Sequence, residues 1–539
     1  MKKATCLILA LILSLSLVAC GTNSASTGPS ASPEAAQTAA VKKDTLTLAI
    51  PKDIADINVH LYTGSMVAQG MVFEGLVQNT AEGVKPCLAE SWDVSSDGKA
   101  YTFHLKKGVT FTDGQPFNAE AVKANIDAVQ ANAERHSWLV LCKKIVSCDV
   151  VDEYTVNLVL SEAYYPTLTE LGLTRPYRMM SPSTFINGGT KDGVSSYSGT
   201  GAYKLDEHVT DQYAVFKAND SYWGGVPGIK TITMKVMPAG ETTLMAFKNG
   251  EIDFLFGTYA SGMIDADSLV SLENDSKYQV KFSDPCATRF LITNSNNERL
   301  ISDKNIKQAV WYAINREEMC KAVFSGLETP AQTVFDKTIP YCNVALDARN
   351  YSVDKAKSLI EASGWKLDAK TGYYTKGGAT LSLEFVYNSS VATNKTIGEF
   401  IQANLKEAGI DVKLTPVEST TVQQVRSAGS YDLYLDSSWG RPYDPQSSLT
   451  ALFAAGSYLN SVSKLSCFND LDTWVNAALV TTDEKERQDY YTKILQALQE
   501  ECCFIPLSYS RVSIATSADL KGLAFSQTQY EVPFKDFSY

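Results

Sequence analysis

Few side chains in this sequence are grouped for chemistry by spacing alone. The four histidines are His60, His104, His136 and His208, and none follows. No HExxH pair, GxSxG elbow, GxxxxGK(S/T) loop or GxGxxG turn after a strand occurs. The metallopeptidase, serine-hydrolase, phosphate-cradling and dinucleotide chemistries served by those patterns therefore have no local signature. Carboxylates are plentiful, but their context singles out no pair. Beyond Cys6 and Cys20 lie nine cysteines: Cys87, Cys142, Cys148, Cys286, Cys320, Cys342, Cys467, Cys502 and Cys503. An odd set cannot all pair internally, and without a CxxC the spacing fits no zinc site. Mostly buried free thiols are expected, as suits anaerobic or reducing surroundings, with one or two disulfides left open. The formal net charge of −12 argues against a nucleic-acid partner, since phosphate binding needs basic patches.

The N-terminal residues indicate where this chemistry would operate. Lys2 and Lys3 precede an apolar run from Leu7 to Ala19, shorter than the ~20 residues needed to span a bilayer. Residues 1–19 read as a secretory signal peptide. The run closes Leu17-Val18-Ala19-Cys20-Gly21, which resembles a bacterial lipobox. Small residues would fit the peptidase groove, and the Cys20 thiol would take the lipid through a thioether. Residues 20–44 are rich in Ser, Ala, Thr, Pro and Gly, and are expected to form a flexible tether. The protein would then be lipid-anchored outside the cytoplasm, on the membrane rather than across it.

The body beyond residue 45 exceeds one ordinary domain, so two or three lobes are expected. Thr45 to Ile50 alternates as a strand. Tyr101, Phe103 and Leu105 alternate after an Asp97-Gly98 turn signal. Asn118 is a good cap for a helix beginning Ala119-Glu120-Ala121. Ile397, Phe400, Ile401 and Leu405 share one helical face, Gly409 ends that helix, and Ile410 to Leu414 reads as a strand. Strand–helix alternation over 286–510 predicts an α/β lobe.

The stretch from Ala89 to Ala121, AESWDVSSDGKAYTFHLKKGVTFTDGQPFNAEA, resembles the peptide/nickel/opine class (family 5) of ABC substrate-binding proteins. Further patches follow in family order: Gly199-Thr200-Gly201-Ala202-Tyr203, Asn219 to Gly224, Phe247 to Asp253, Ile306 to Arg316, and Tyr351 to Trp365. Together they cover about residues 45–539. The resemblance implies an α/β fold of the periplasmic-binding-protein type II kind, with two main lobes, an extra subdomain and a hinge. Lobe I would comprise 45–285 plus 511–539, with the subdomain inserted at about 85–210, and lobe II would comprise 286–510. It also implies a monomer that carries a small ligand to ABC permease subunits.

Within the class, four patches are most similar to its nickel-binding branch. Arg135-His136-Ser137-Trp138 matches "RHAW". Tyr164-Tyr165-Pro166 followed by Thr174-Arg175-Pro176-Tyr177-Arg178 matches "YYP…PRPFR". Trp439-Gly440-Arg441-Pro442-Tyr443-Asp444-Pro445 matches "WGAPYDP", and Glu531-Val532-Pro533-Phe534 matches "EIPF". That branch binds nickel as a chelate. By this resemblance Arg135 and Arg175 clamp carboxylates, for which a guanidinium fork is suited. Trp138, Trp439 and Tyr443 wall the cavity, where rings stack on flat or cationic groups. Tyr62 shares the cavity, with Met66 nearby and Tyr530 at a position where the family has a small residue. Arg178 is expected to be structural, and Arg441 either adds an anionic contact or faces solvent.

One departure bears on the ligand. The nickel-binding branch donates a histidine from the second lobe, at a position that falls near Ser457. Imidazole is the usual protein ligand for nickel, so direct coordination from that lobe is not expected. The options left are a self-sufficient metal chelate, coordination by His60 or His136, a short peptide or amino-acid conjugate, or another small carboxylate. No cofactor is expected beyond nickel or another transition metal carried as cargo. Competing classes are a ligand-sensing receptor adaptor and an extracellular hydrolase.

Overall fold

The computed structural model describes residues 43–258 and 262–539. The expected leader, Cys20 and the tether up to residue 42 lie outside the described residues. The tether's last two expected residues are tied to the body. Lys43 pairs with Asp253 and lies over the Tyr539 ring, 4.7 Å from its centroid. The Asp44 carbonyl accepts from Lys230 N–H at 2.6 Å.

Two large sheets organise the chain. The first has seven strands in the order Tyr203–Val209, Tyr213–Ala218, Thr231–Val236, Thr45–Ile50, Phe254–Gly257, Ser513–Ser517 and Tyr278–Phe282. Thr45–Ile50 runs parallel to Thr231–Val236, with Leu46 opposite Ile232 and Leu48 opposite Met234. All four of those side chains are buried. The second sheet has six strands in the order Thr329–Pro330, Phe504–Ser510, Ala287–Thr293, Leu433–Ser437, Ser382–Asn388 and Asp411–Val417. Ala287–Thr293 and Phe504–Ser510 are buried at every position, as strands in mid-sheet with both faces covered must be. Helix Ala392–Glu407 packs on Ser382–Asn388 and Asp411–Val417, burying Ile397, Ile401 and Leu405.

A four-stranded antiparallel sheet orders Ala89–Val94, Ala100–Leu105, Thr155–Leu160 and Ile145–Asp152. Tyr101, Phe103 and Leu105 face its core, the alternation read from sequence. Helix Ala119–Gln130 packs on Ile145–Asp152, and its Asn118 cap accepts from Ala121 N–H at 3.0 Å. One apolar core joins this sheet to helices Gln446–Phe453, Phe468–Val480 and Glu484–Glu500.

The chain crosses between the two large sheets twice, after Phe282 and after Ser510. The crossings are bonded to each other. Ser283 N–H donates to Val512 O, and Cys286 N–H to Ser510 O, each at 2.9 Å. A separate contact joins the four-stranded region to the second-sheet region. Tyr165 N–H donates to Leu479 O at 2.8 Å, and the Tyr165 ring lies 3.8 Å from the Arg487 guanidinium carbon. All nine cysteines among the described residues are free thiols, and only Cys467 is not buried. Among the described residues no helix is long and apolar enough to cross a membrane.

Candidate functional site

The loop after Thr45–Ile50 carries Tyr62 and ends at Ser65, which caps helix Met66–Val72. Gly64, just before that cap, has φ +76°, and a Cβ there would stand 2.2 Å from Asp56 O. Only glycine fits so close an approach in the left-handed region. The turn exposes the Gly64 carbonyl, which accepts from Arg175 Nη2. Arg175 Nε donates to Gln69 Oε1 at 2.7 Å. The Arg175 side chain is thus aimed by the loop and the first helix together. It is only 9% exposed, and burial pulls its guanidinium below the usual value, opposed by the Tyr443 and Tyr62 hydroxyls.

Helix Ala119–Gln130 runs out through three-residue turns, with Arg135 N–H on Asn132 O at 3.0 Å and His136 N–H on Ala133 O at 3.1 Å. These turns put neighbouring side chains on opposite sides. Arg135 is exposed, His136 is wholly buried and Trp138 is half-buried. The Arg135 guanidinium lies 6.0 Å from the Tyr62 ring centroid. His136 Nδ1 is 2.6 Å from the Tyr62 hydroxyl. Burial, with Arg135 beside it, lowers the His136 pKa to about 4.

The segment after strand Leu433–Ser437 supplies the opposite side. Gly440 has φ +77° and its N–H donates to Asp444 Oδ2 at 3.1 Å. Asp444 Oδ1 accepts from Ser448, whose hydroxyl oxygen accepts from Trp439 N–H at 3.2 Å. Burial raises the Asp444 pKa to about 6. Gln529 Nε2 donates to Trp439 O at 2.9 Å and to the Tyr530 hydroxyl at 3.2 Å. The bonds to Trp439 N–H, Gly440 N–H and Trp439 O hold the backbone on which Trp439 and Tyr443 are displayed.

Four rings meet between the two sides. Tyr62 and Trp138 centroids are 5.6 Å apart, Trp138 and Trp439 5.4 Å, Trp138 and Tyr443 6.4 Å, and Trp439 and Tyr443 6.3 Å. Three of the four pairs are edge-to-face, an arrangement the ring quadrupole favours. Chemically, the group offers two guanidinium cations, one of them already oriented, beside an aromatic wall of mutually inclined rings built from both sides of the molecule. Met66 stands at the start of the helix that holds Gln69.

The other sequence candidates lie elsewhere. His60 is buried, with Nδ1 at 3.0 Å from Thr190 Oγ1 and Nε2 at 3.1 Å from Arg178 O. Both nitrogens are thus engaged away from the wall, and burial lowers the His60 pKa to about 4. Arg178 is spent on Glu531 at 2.6 Å and on Phe73 O at 2.8 Å. Arg441, half-buried, reaches Gln527 Oε1 at 3.2 Å and Thr338 at an exposed position. Ser457 forms a turn onto Ala454 O at 3.1 Å. Its neighbour Tyr458 donates to Asp436 Oδ2 at 2.5 Å. Among the described residues no cluster of three or more His, Cys, Asp or Glu could hold a metal ion.

Gln69 and Gln529 were not singled out from sequence, and Asp444 entered only as part of the Trp439 to Pro445 patch, with no role of its own. Each is a buried polar residue whose partner is fixed by the fold, and its type alone carried no signal.

Residues 83–460 match the family described as bacterial extracellular solute-binding proteins, family 5 Middle. The chain is 34% identical over 499 residues to the nickel-binding periplasmic protein of Escherichia coli K12, covering 92% of this chain and 95% of that one. The fold is similar to the crystal structure of NikA from Brucella suis in complex with Fe(III)-EDTA, with a TM-score of 0.89, 36% identity, and 92% of this chain and 99% of that one covered. It is also similar to NikZ from Campylobacter jejuni in complex with Ni(L-His), with a TM-score of 0.75, 25% identity, and coverage of 93% and 100%. The arginines and rings described above therefore lie on a type II periplasmic-binding-protein scaffold, and the chain belongs to family 5 of the bacterial extracellular solute-binding proteins.

Proposed function

We propose that this protein is an extracytoplasmic lipoprotein, anchored through Cys20, that captures a transition-metal chelate bearing carboxylates and delivers it to the permease subunits of an ABC importer. Residues 45–285 with 511–539 form one lobe, carrying an inserted subdomain at about 85–210, and residues 286–510 form the other. The lobes hinge at the paired crossings. Opening parts Tyr62 and Trp138 from Trp439 and Tyr443, and closure over the chelate lays the rings against it. Arg135 and Arg175 hold its carboxylates, with Met66 and Tyr530 at the margin. The protein works as a monomer and returns its ligand chemically unchanged.

The observation that supports this best is the pairing of two arginines with a four-ring wall drawn from both sides. A guanidinium fork recognises carboxylates, and the rings offer apolar surface and edges to the rest of the ligand. A serine at 457 supplies no imidazole from the second lobe, which favours a metal already saturated by its chelator. The relatives named as binding Ni(L-His) and Fe(III)-EDTA point the same way.

Calorimetry with Ni(II) in excess L-histidine, Fe(III)-EDTA, bare Ni(II) and a tetrapeptide tests this. At least one chelate is expected to bind well and the bare ion weakly. Tight binding of bare nickel, or binding of the peptide alone, overturns the chelate reading. Arg135→Ala is the cleaner clamp variant, because Arg135 is exposed while Arg175 is also bonded to Gln69 and Gly64. Its affinity is expected to fall at least tenfold, the scale of one lost charge-assisted contact.

A further inference from the structure

We propose that His136 is a positioning residue that turns the Tyr62 hydroxyl into a hydrogen-bond donor facing the ligand. The inference rests on the reading above that the ligand is anionic.

The two fully buried histidines make the contrast. His60 has both ring nitrogens within hydrogen-bond distance of a partner, as a histidine kept for packing would. His136 is equally buried, yet only Nδ1 has a partner, the Tyr62 hydroxyl at 2.6 Å. Its Nε2 is buried with no hydrogen-bond partner. The short bond to Tyr62 is thus the sole side-chain hydrogen bond this ring makes among the described residues.

Two neutral tautomers satisfy that bond in opposite ways. If Tyr62 donates to a bare Nδ1, the proton sits on Nε2, a buried donor with no acceptor. Tyr62 then shows only oxygen lone pairs to the ligand. If Nδ1–H donates to Tyr62, the phenolic proton is released to point elsewhere, and Nε2 keeps a buried lone pair with no donor to it. Tyr62 shares its space with Arg135 and Arg175. A ligand recognised by those cations is repelled by lone pairs and gains a charge-assisted bond from an O–H. The anion therefore selects the Nδ1–H tautomer. The imidazolium alternative is disfavoured independently, by burial and by Arg135 next in sequence. Burial also holds Tyr62 as a neutral phenol, raising its pKa well above the usual value.

The test uses the intact protein with 15N-labelled histidine and Ga(III)-EDTA, a diamagnetic stand-in for the iron chelate. With four histidines in the sequence, His136→Asn assigns the His136 signals by their loss. The ligated protein is expected to show His136 protonated on Nδ1 and bare on Nε2. In calorimetry, Tyr62→Phe and His136→Leu should each weaken chelate binding roughly tenfold. The double variant should be no weaker than Tyr62→Phe alone. His136→Asn, which keeps a donor near the Nδ1 position, should recover most of the loss. A ligated protein with the proton on Nε2, or losses that multiply in the double variant, overturns the assignment. The spectrum of the unaltered protein decides even where His136→Leu fails to fold. Failure of the wild type to bind any chelate refutes the functional reading and this inference with it, whereas chelate binding with the wrong tautomer refutes this inference alone.

Discussion

Gly440→Ala is expected to weaken chelate binding although residue 440 carries no side chain to touch a ligand. Two costs can be worked from the structure. Gly440 has φ +77°, a region that costs an L-residue roughly 1–2 kcal/mol. A Cβ there would stand 2.4 Å from Gln529 Nε2 and 2.9 Å from Cys286 O. Gln529 is 1% exposed, so it retreats only by giving up its bond to Trp439 O, worth about 1 kcal/mol. Gly378 provides the control. Its φ is +84°, and nothing lies within 4 Å of a Cβ built there. Gly378→Ala should lose roughly 1–2 kcal/mol of stability by backbone strain alone and bind chelate like the wild type. Gly440→Ala should lose roughly 2–3 kcal/mol and, with Trp439 released, bind the chelate about tenfold more weakly. Thermal midpoints give the first comparison, and calorimetry with Ni(II) in excess L-histidine gives the second. Equal affinities for the two variants would falsify the claim that Gln529 holds Trp439 in its working position.

Three further outcomes are expected. Gln69→Leu leaves the buried Arg175 Nε without an acceptor, which should cost roughly 1–3 kcal/mol. A variant with unchanged thermal midpoint and chelate affinity would mean that Gln69 does not orient the arginine. Tyr165→Leu removes a ring from the Arg487 guanidinium, outside the four-ring group, a contact worth about 1–2 kcal/mol when desolvated. If that contact favours the closed form, chelate release in stopped-flow displacement should be several-fold faster, and an unaltered rate would show the contact to be indifferent to closure. Glu170 accepts from Tyr164 and from Leu141 N–H in full burial, and burial raises its pKa from 4.5 to about 7. Between those values the folded state binds more protons than the unfolded, so this group's contribution to stability falls as pH rises. The whole change is roughly 3 kcal/mol, and Glu170→Gln should gain on the wild type from pH 5 to pH 8. A constant difference in thermal midpoint across that range would contradict it.

Local order was legible wherever one periodicity dominated. Tyr101, Phe103 and Leu105 alternate and face one core, and Ile397, Ile401 and Leu405 line one buried face. Asn118 caps its helix because a short polar side chain can reach the free N–H groups of the first turn. The grouping of the four rings was legible differently, through motif resemblance, since Trp138 and Trp439 are about three hundred residues apart and no spacing rule links them. The supporting bonds were not legible. Gln69 finds Arg175, and Gln529 finds Trp439, only after the sheets are assembled. A glutamine in a helix or a loop has the same composition whether it orients an arginine or faces water. Arg441 shows the same limit, since its partners Gln527 and Thr338 come from distant segments.

The buried thiols make the body a clock for its own opening. Burial pushes Cys87, Cys148 and Cys503 up to about 12, and Cys142 and Cys286 to about 11. Such groups are protonated and shielded at neutral pH, and alkylating reagents attack the thiolate. Among the described residues only the Cys467 thiol is half-open, so of these nine it should label first and mark the zero of the time axis. Cys286 lies on a crossing and bonds Ser510 O through its thiol at 3.4 Å, so its labelling rate would count excursions of the hinge proposed there. The thiols deep in the cores register only larger unfolding. Pulsed alkylation read by mass spectrometry would then rank local breathing, hinge motion and global loss of structure in one unmodified chain.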